Sequence, residues 1–146
     1  MKGFSLVELM VVSLVLVLLL AIAIPAYTEF VEQSRRVETI AQIGEMSMII
    51  DRHFSQNWEY PASLADVDLD TRTDSWGRPY AYLRIVGLSG KGDVRKDKSL
   101  NPINSDYDLY SLGPDGESKL PLTAPQSHDD IVRASNGGYI GVASDY

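Results

Sequence analysis

The chain has 146 residues, with 20 acidic against 13 basic side chains, a net charge of −7 and no cysteine. That length suits one apolar span and one small domain. The acidic balance disfavours nucleic-acid binding, which calls for a basic face, and without thiols there is neither a disulfide nor a thiolate metal site.

The chain opens on an apolar run, Phe4 to Ile24, interrupted by one carboxylate, Glu8. As a helix, its about 21 residues at ~1.5 Å each cross a ~30 Å hydrocarbon core. A lone acid there costs ~2.5–3.5 kcal/mol, so Glu8 is expected to have a partner. Three readings compete. One is a plain membrane anchor. A second is a cleaved secretory signal, with Lys2 as its basic end, Leu9–Leu20 as its apolar core and Ala21-Ile22-Ala23 as its cleavage site. The third takes Gly3-Phe4-Ser5-Leu6-Val7-Glu8 as a processing site in its own right. Glu8 weighs against the first two, because an ordinary anchor has no use for it and a signal carries no acid ahead of its apolar core.

The Gly-Phe-Ser-Leu-Val-Glu-Leu-Met run followed by an apolar helix closely resembles the N-terminus of the type IV pilin and pseudopilin superfamily. The resemblance implies that a membrane prepilin peptidase cuts after Gly3 and methylates the new N-terminus at Phe4. It also implies that Glu8 meets the terminal amine of a neighbouring subunit in the filament. An ammonium–carboxylate pair in low dielectric offsets two burial costs that are large when unpaired. The leader, residues 1–3, is short for the family; either a short leader suffices or the start lies upstream. Lys2 before the span and Arg35 and Arg36 after it leave the orientation undecided by charge. The resemblance places the N-terminus in the cytoplasm and the C-terminal domain in the periplasm, anchored in the bacterial inner membrane.

Pro25 ends the purely apolar stretch and is expected to kink the helix, not to stop it. Val37, Ile40, Ile43, Met46, Ile50 and Phe54 recur every three or four residues, with Glu29, Glu32, Arg35, Arg36, Glu38, Gln42 and Glu45 as a solvated face. Asn57 and Pro61 supply stop signals. One helix is therefore expected from Phe4 to Gln56. The organisation reads as a leader (1–3), a membrane or filament-core helix (4–24), an amphipathic helix (25–57) and a globular domain (58–146).

The acidic stretch Asp66–Asp70 reads as loop or a short helical turn. In Asp74-Ser75-Trp76-Gly77-Arg78-Pro79-Tyr80, Gly77 and Pro79 mark a turn and Trp76 an apolar anchor. Tyr80–Val86 alternates as a strand, Gly87–Asn101 reads as an exposed hairpin loop, and Tyr107–Leu112 and Tyr139–Ala143 are a second and a third, short strand. Tyr80, Tyr82, Tyr107 and Tyr110 are expected in the core or on the sheet face. There is no internal repeat. The fold class is α+β: a long N-terminal helix on a small antiparallel sheet with a C-terminal loop region.

Two blocks narrow the resemblance. Asp74–Tyr80, and Asp108-Leu109-Tyr110-Ser111-Leu112-Gly113-Pro114-Asp115-Gly116 followed by Asp129-Asp130-Ile131, resemble segments of the major pseudopilins of type II secretion. Residues 87–104 and 117–128 match nothing. In that family the loop after Ser-Leu-Gly-x-Asp-Gly wraps a calcium ion, which implies ligands from the Leu112 carbonyl and from Asp115, Asp129 and Asp130. The chemistry suits a hard cation that takes six to eight oxygens, while the spacing is not that of an EF-hand. The opposing reading is an acidic, solvated loop.

Other chemistry is thin. His53 and His128 lack a second nitrogen or sulfur at ligand spacing and read as structural or exposed. Ser5, Ser13 and Ser111 have no His/Asp constellation, and no phosphate loop or dinucleotide fingerprint is present. The expectation is a structural subunit and not an enzyme: the major pseudopilin of a periplasmic filament that drives export of folded proteins. Its implied partners are copies of itself, the prepilin peptidase, minor pseudopilins and an inner-membrane assembly platform. Two alternatives stand. One is a surface type IV pilin for adhesion, motility or DNA uptake, disfavoured by the missing cysteines. The other is a secreted calcium-binding module behind a cleaved signal.

Overall fold

The computed structural model describes residues 3, 5–90 and 92–146. They fall into two compact units that meet in sequence between Ser34 and Arg35. Helix α1 (Leu6–Asn57) contributes residues to both units. The expected helix is therefore present within two residues at the start and one at the end, and its assignment continues through Pro25.

In the first unit the helix presents apolar side chains all round. Every residue from Leu6 to Phe30 is exposed. The segment is long and apolar enough to cross a membrane. A helix that is hydrophobic all round belongs in lipid or inside an assembly.

In the second unit α1 buries a stripe of Thr39, Ile43, Met46, Ser47 and Ile50. The spacing is the expected three-and-four pattern, but its membership differs. Val37 is 61 % exposed, Ile40 and Phe54 are half-buried, and two hydroxyl residues join the stripe. Their polar atoms are satisfied: Thr39 Oγ1 donates to Ser75 Oγ at 3.1 Å, and Ser47 Oγ bonds back to the Ile43 carbonyl at 2.8 Å. A hydroxyl with a partner can be buried at small cost, which periodicity of apolar residues does not register. The helix ends where Trp58 adopts a left-handed φ of 57° and its N–H bonds the Phe54 carbonyl at 2.7 Å.

Four antiparallel strands follow in the order β1 (Ala81–Arg84), β2 (Tyr107–Ser111), β3 (Ile131–Ala134) and β4 (Tyr139–Val142), each paired with the next. Three strands were expected and β3 was not among them. Ile131, Val132, Arg133 and Ala134 are all buried, so β3 shows no polar–apolar alternation. The reason lies in the sheet's two covers. Tyr107, Leu109 and Ile131 pack on one side with Ile43, Met46 and Ile50 of α1. Val132 and Ala134 pack on the other with Ile103 and Leu122, which come from the connecting segments.

Those segments correct a second expectation. Gly87–Asn101 is not simply an exposed hairpin loop: Val94 and Arg95 within it are buried to 0 % and 1 % exposure. Lys96 pairs in β-bridges with Pro102 and Pro121. The acidic stretch divides between its two anticipated states: Asp66 and Val67 end a 3-10 turn over Leu64–Val67, and Asp68–Asp70 are turn and loop. Tyr80 and Tyr107 are core residues, and Tyr82 and Tyr110 are half-buried against it.

Candidate functional site

The first candidate site is the start of α1. Gly3 is exposed; Phe4 lies outside the described residues. The Ser5 N–H donates to Glu8 Oε2 at 2.8 Å, and the Glu8 N–H donates to Ser5 Oγ at 3.2 Å. This is a reciprocal capping box, with serine at the N-cap and glutamate three residues on. The Ser-x-x-Glu signal stands in the sequence inside Gly3–Glu8, where it was not read as a cap. It supplies an intramolecular partner for the lone acid and places negative charge at the positive end of the helix dipole. Farther along, Pro25 gives up its own N–H, and its carbonyl accepts from Thr28 Oγ1 at 2.8 Å.

The second candidate site joins the two sequence blocks. Asp74, only 4 % exposed, is its hub. Its Oδ1 accepts from the Trp76 N–H at 3.0 Å and the Arg78 N–H at 2.9 Å, closing the turn at Gly77. Its Oδ2 accepts from Ser111 Oγ at 2.6 Å, and Ser111 Oγ in turn accepts from the Gly113 N–H at 3.1 Å. The Arg78 guanidinium then donates to the carbonyls of Gly113 and, at 3.1 Å, Pro114. Gly113 has φ +64°, and a Cβ there would collide with the Asp129 carbonyl oxygen. Gly116 has φ +73°, and a Cβ there would lie 2.6 Å from Arg78 Nε. Only glycine combines that backbone with that proximity.

The expected calcium ligands lie around this loop, but among the described residues their carboxylates do not gather into one group. Leu112 is half-buried, and Asp115 is exposed with its Oδ1 accepting from the Glu117 N–H at 2.8 Å. Asp129 is half-buried, and its Oδ2 accepts from the Asp115 N–H at 3.2 Å. Asp130 is fully buried and paired: its Oδ2 lies 2.6 Å from Arg95 Nη2 and accepts from Ser118 Oγ at 2.6 Å. Burial raises the Asp130 carboxyl to about 6, with Arg95 and the Ser118 hydroxyl pulling it back down. Among the described residues no three His, Asp or Glu side chains form a group that could hold a metal ion. The residues present therefore do not fit the calcium site that the resemblance implied. His128 is exposed, with one ring nitrogen 3.2 Å from the Thr123 carbonyl oxygen, and His53 is half-buried on α1.

Arg95 is the residue that sequence reasoning missed. Its Nη1 donates to Ser118 Oγ and to the Lys119 carbonyl at 2.8 Å, and its guanidinium lies 4.4 Å from the Tyr110 ring centroid. Its backbone N–H donates to Asp108 Oδ2 at 2.7 Å. A basic residue in a glycine- and lysine-rich stretch carries no signal of burial. The turn was legible in Gly77 and Pro79; that Asp74 closes it could have been read too, since an aspartate that bonds backbone N–H groups a few residues on is a familiar turn device. A similar ion pair, Arg133 Nη2 to Asp106 Oδ2 at 2.7 Å, sits with the Arg133 guanidinium 3.9 Å from the Tyr107 ring centroid.

Three relatives show what the chain is similar to. The chain is 27 % identical over 140 residues to a fimbrial protein of Neisseria meningitidis serogroup A, covering 92 % of this chain and 80 % of the relative. It is 25 % identical over 137 residues to the type II secretion system core protein G of Pseudomonas aeruginosa, covering 80 % and 85 %. It is 34 % identical over 112 residues to fimbrial protein Q of Moraxella bovis, covering 77 % of this chain and 63 % of that one. No family model and no solved structure matches.

Proposed function

We propose that this chain, which belongs to the type IV pilin and pseudopilin superfamily, is the major, repeating subunit of a type II secretion pseudopilus. The membership itself makes it a structural subunit and not an enzyme. The relatives include both fimbrial and secretion-system proteins, so the choice between the two filaments rests on this chain's own residues.

One observation carries the finer reading. The two blocks that resemble major pseudopilins, Asp74–Tyr80 and Asp108–Gly116, are built into a single hydrogen-bonded unit through Asp74–Ser111 and Arg78–Gly113. The absence of cysteine points the same way, since many surface pilins close their C-terminal region with a disulfide. In this reading the prepilin peptidase cuts after Gly3 and methylates Phe4, and the C-terminal domain faces the periplasm. Subunits then leave the inner membrane through an assembly platform and stack by their apolar helices, minor pseudopilins joining the same filament. Glu8 caps its own helix in the unassembled subunit and meets the amine of a neighbour in the filament. A pairing of that kind is strong in low dielectric and fixes register.

Disruption of the gene in its own bacterium tests the choice. The expected result is accumulation of exported proteins in the periplasm with surface fibres intact. Loss of surface fibres with secretion intact would make the chain a type IV pilin instead.

A further inference from the structure

We infer that the guanidinium groups of Arg95 and Arg78 hold the loop over residues 112–130 in the role a divalent cation would otherwise fill, so that this part of the chain folds without calcium. The inference is independent of which filament the subunit builds.

One of the four implied ligands, and two carbonyls beside the others, are already engaged by positive charge. Asp130 Oδ2 is 2.6 Å from Arg95 Nη2, and the carbonyls of Gly113 and Pro114 accept from Arg78. A divalent ion bound to Asp130 would sit within a few ångströms of Arg95, where like-charge repulsion in a buried setting is strong. The remaining implied ligands, the Leu112 carbonyl and the carboxylates of Asp115 and Asp129, would leave much of a six-to-eight-oxygen shell to water or further carbonyls, and each carboxylate already bonds a backbone N–H of the loop itself.

The buried pair also accounts for its own loose ends. Asp130 Oδ1 and Arg95 Nε are both buried without a hydrogen-bond partner. One is an acceptor and the other a donor, on the two members of one ion pair. A guanidinium meets a carboxylate through two parallel bonds when it is side-on, and these two atoms are what the second bond requires. A side-on pair would satisfy both atoms without a further cation.

Arg95 is placed for this work. It reaches across the loop to Ser118, Lys119 and Asp130 at once, and it is packed on Tyr110 with 1 % exposure. A guanidinium holds several acceptors in a fixed fork, as a coordinated ion does, whereas a lysine ammonium does not. Gly116 leaves the room that Arg78 fills.

The test uses the full chain in detergent micelles. Thermal unfolding is followed by circular dichroism in calcium chloride, magnesium chloride and chelator, beside calorimetric titration with calcium chloride, for wild type, Arg95→Lys and Arg95→Met. The expected wild-type result is one Tm, the same within about 1 °C in all three solutions, and no heat of calcium binding. Arg95→Met is expected to lower Tm by about 6 °C or more, and Arg95→Lys by less. A wild-type Tm raised by calcium by about 4 °C or more, or saturable calcium binding, overturns the inference. So does an Arg95→Met chain as stable as wild type. If Arg95→Met does not fold, the wild-type titration still decides.

Discussion

Ser111 Oγ donates a 2.6 Å hydrogen bond to Asp74 Oδ2, and both residues are buried. That contact fastens the end of β2 to the turn that carries Trp76 and Arg78. Asp74 holds two backbone N–H groups with its other oxygen, so one carboxylate closes the turn and anchors it. Asp74→Ala strands three donors and is expected to cost about 3 kcal/mol or more, given ~1–3 kcal/mol for each buried group left unsatisfied. Asp74→Asn keeps one acceptor oxygen and should cost less. Chemical unfolding of the full chain in micelles ranks the two; equal stability of Asp74→Ala and wild type would remove the hub.

The helix face gives a second test. Ile50 is fully buried with Tyr107 and Leu109, so Ile50→Ala should cost about 2–5 kcal/mol. Val37 is exposed, and Val37→Ala should stay within about 0.5 kcal/mol. Phe54 is half-buried and stacks on Tyr60 with ring centroids 4.4 Å apart, which places Phe54→Ala between the two. Denaturant midpoints measure all three, and a Val37→Ala loss matching that of Ile50→Ala would contradict the assigned face.

Acidity gives a third. Burial holds the carboxyls of Asp108 and Asp130 above the ordinary aspartate value of 3.8, Asp130 at about 6. Between those values the folded chain keeps protons that the unfolded chain releases, so stability falls as pH rises through the window. The exposed carboxylates Glu45 and Asp97 are shifted the other way, by Arg72 and by the Asn101 backbone N–H respectively, and withdraw their support only at lower pH. Tm is therefore expected to be higher near pH 5 than near pH 7, with the decline on the acid side setting in below about pH 4. A Tm that falls steadily from about pH 7 to about pH 5 would show that Arg95 outweighs the burial of Asp130.

What the sequence revealed follows from which forces leave a pattern. A continuous apolar run exposed the first part of α1, and apolar periodicity the second, because core-facing residues recur along a helix whatever covers them. Alternation exposed β1, strand-forming residues exposed β2 and β4, and Gly77 and Pro79 exposed the turn that Asp74 closes. β3 was hidden because both its faces are covered, and the Asp129-Asp130 pair before it looked like a ligand cluster. Arg95 was hidden because a buried cation is defined by its partners, which lie 13 to 35 residues away. The capping role of Glu8 was legible in Ser5-Leu6-Val7-Glu8 and was eclipsed by the larger motif.

The capping bond of Glu8 and the pairing proposed for it between subunits are separable. Glu8→Gln retains a side-chain oxygen for the Ser5 N–H but loses the charge, while Glu8→Ala loses both. Both variants are expected to insert in the membrane, and both should give few filaments, because pairing with a neighbour's amine needs the carboxylate. Filament yield beside membrane content reads the outcome. Normal filaments from Glu8→Gln would leave the capping box as the whole role of Glu8.

Mass spectrometry of the mature N-terminus decides whether this chain is processed as a pilin-like subunit. The expected chain begins at Phe4 with a methylated amine, and Gly3→Val is expected to leave it unprocessed. A wild-type chain that begins at Ile24, or a mature chain that still carries Met1-Lys2-Gly3, would contradict that processing.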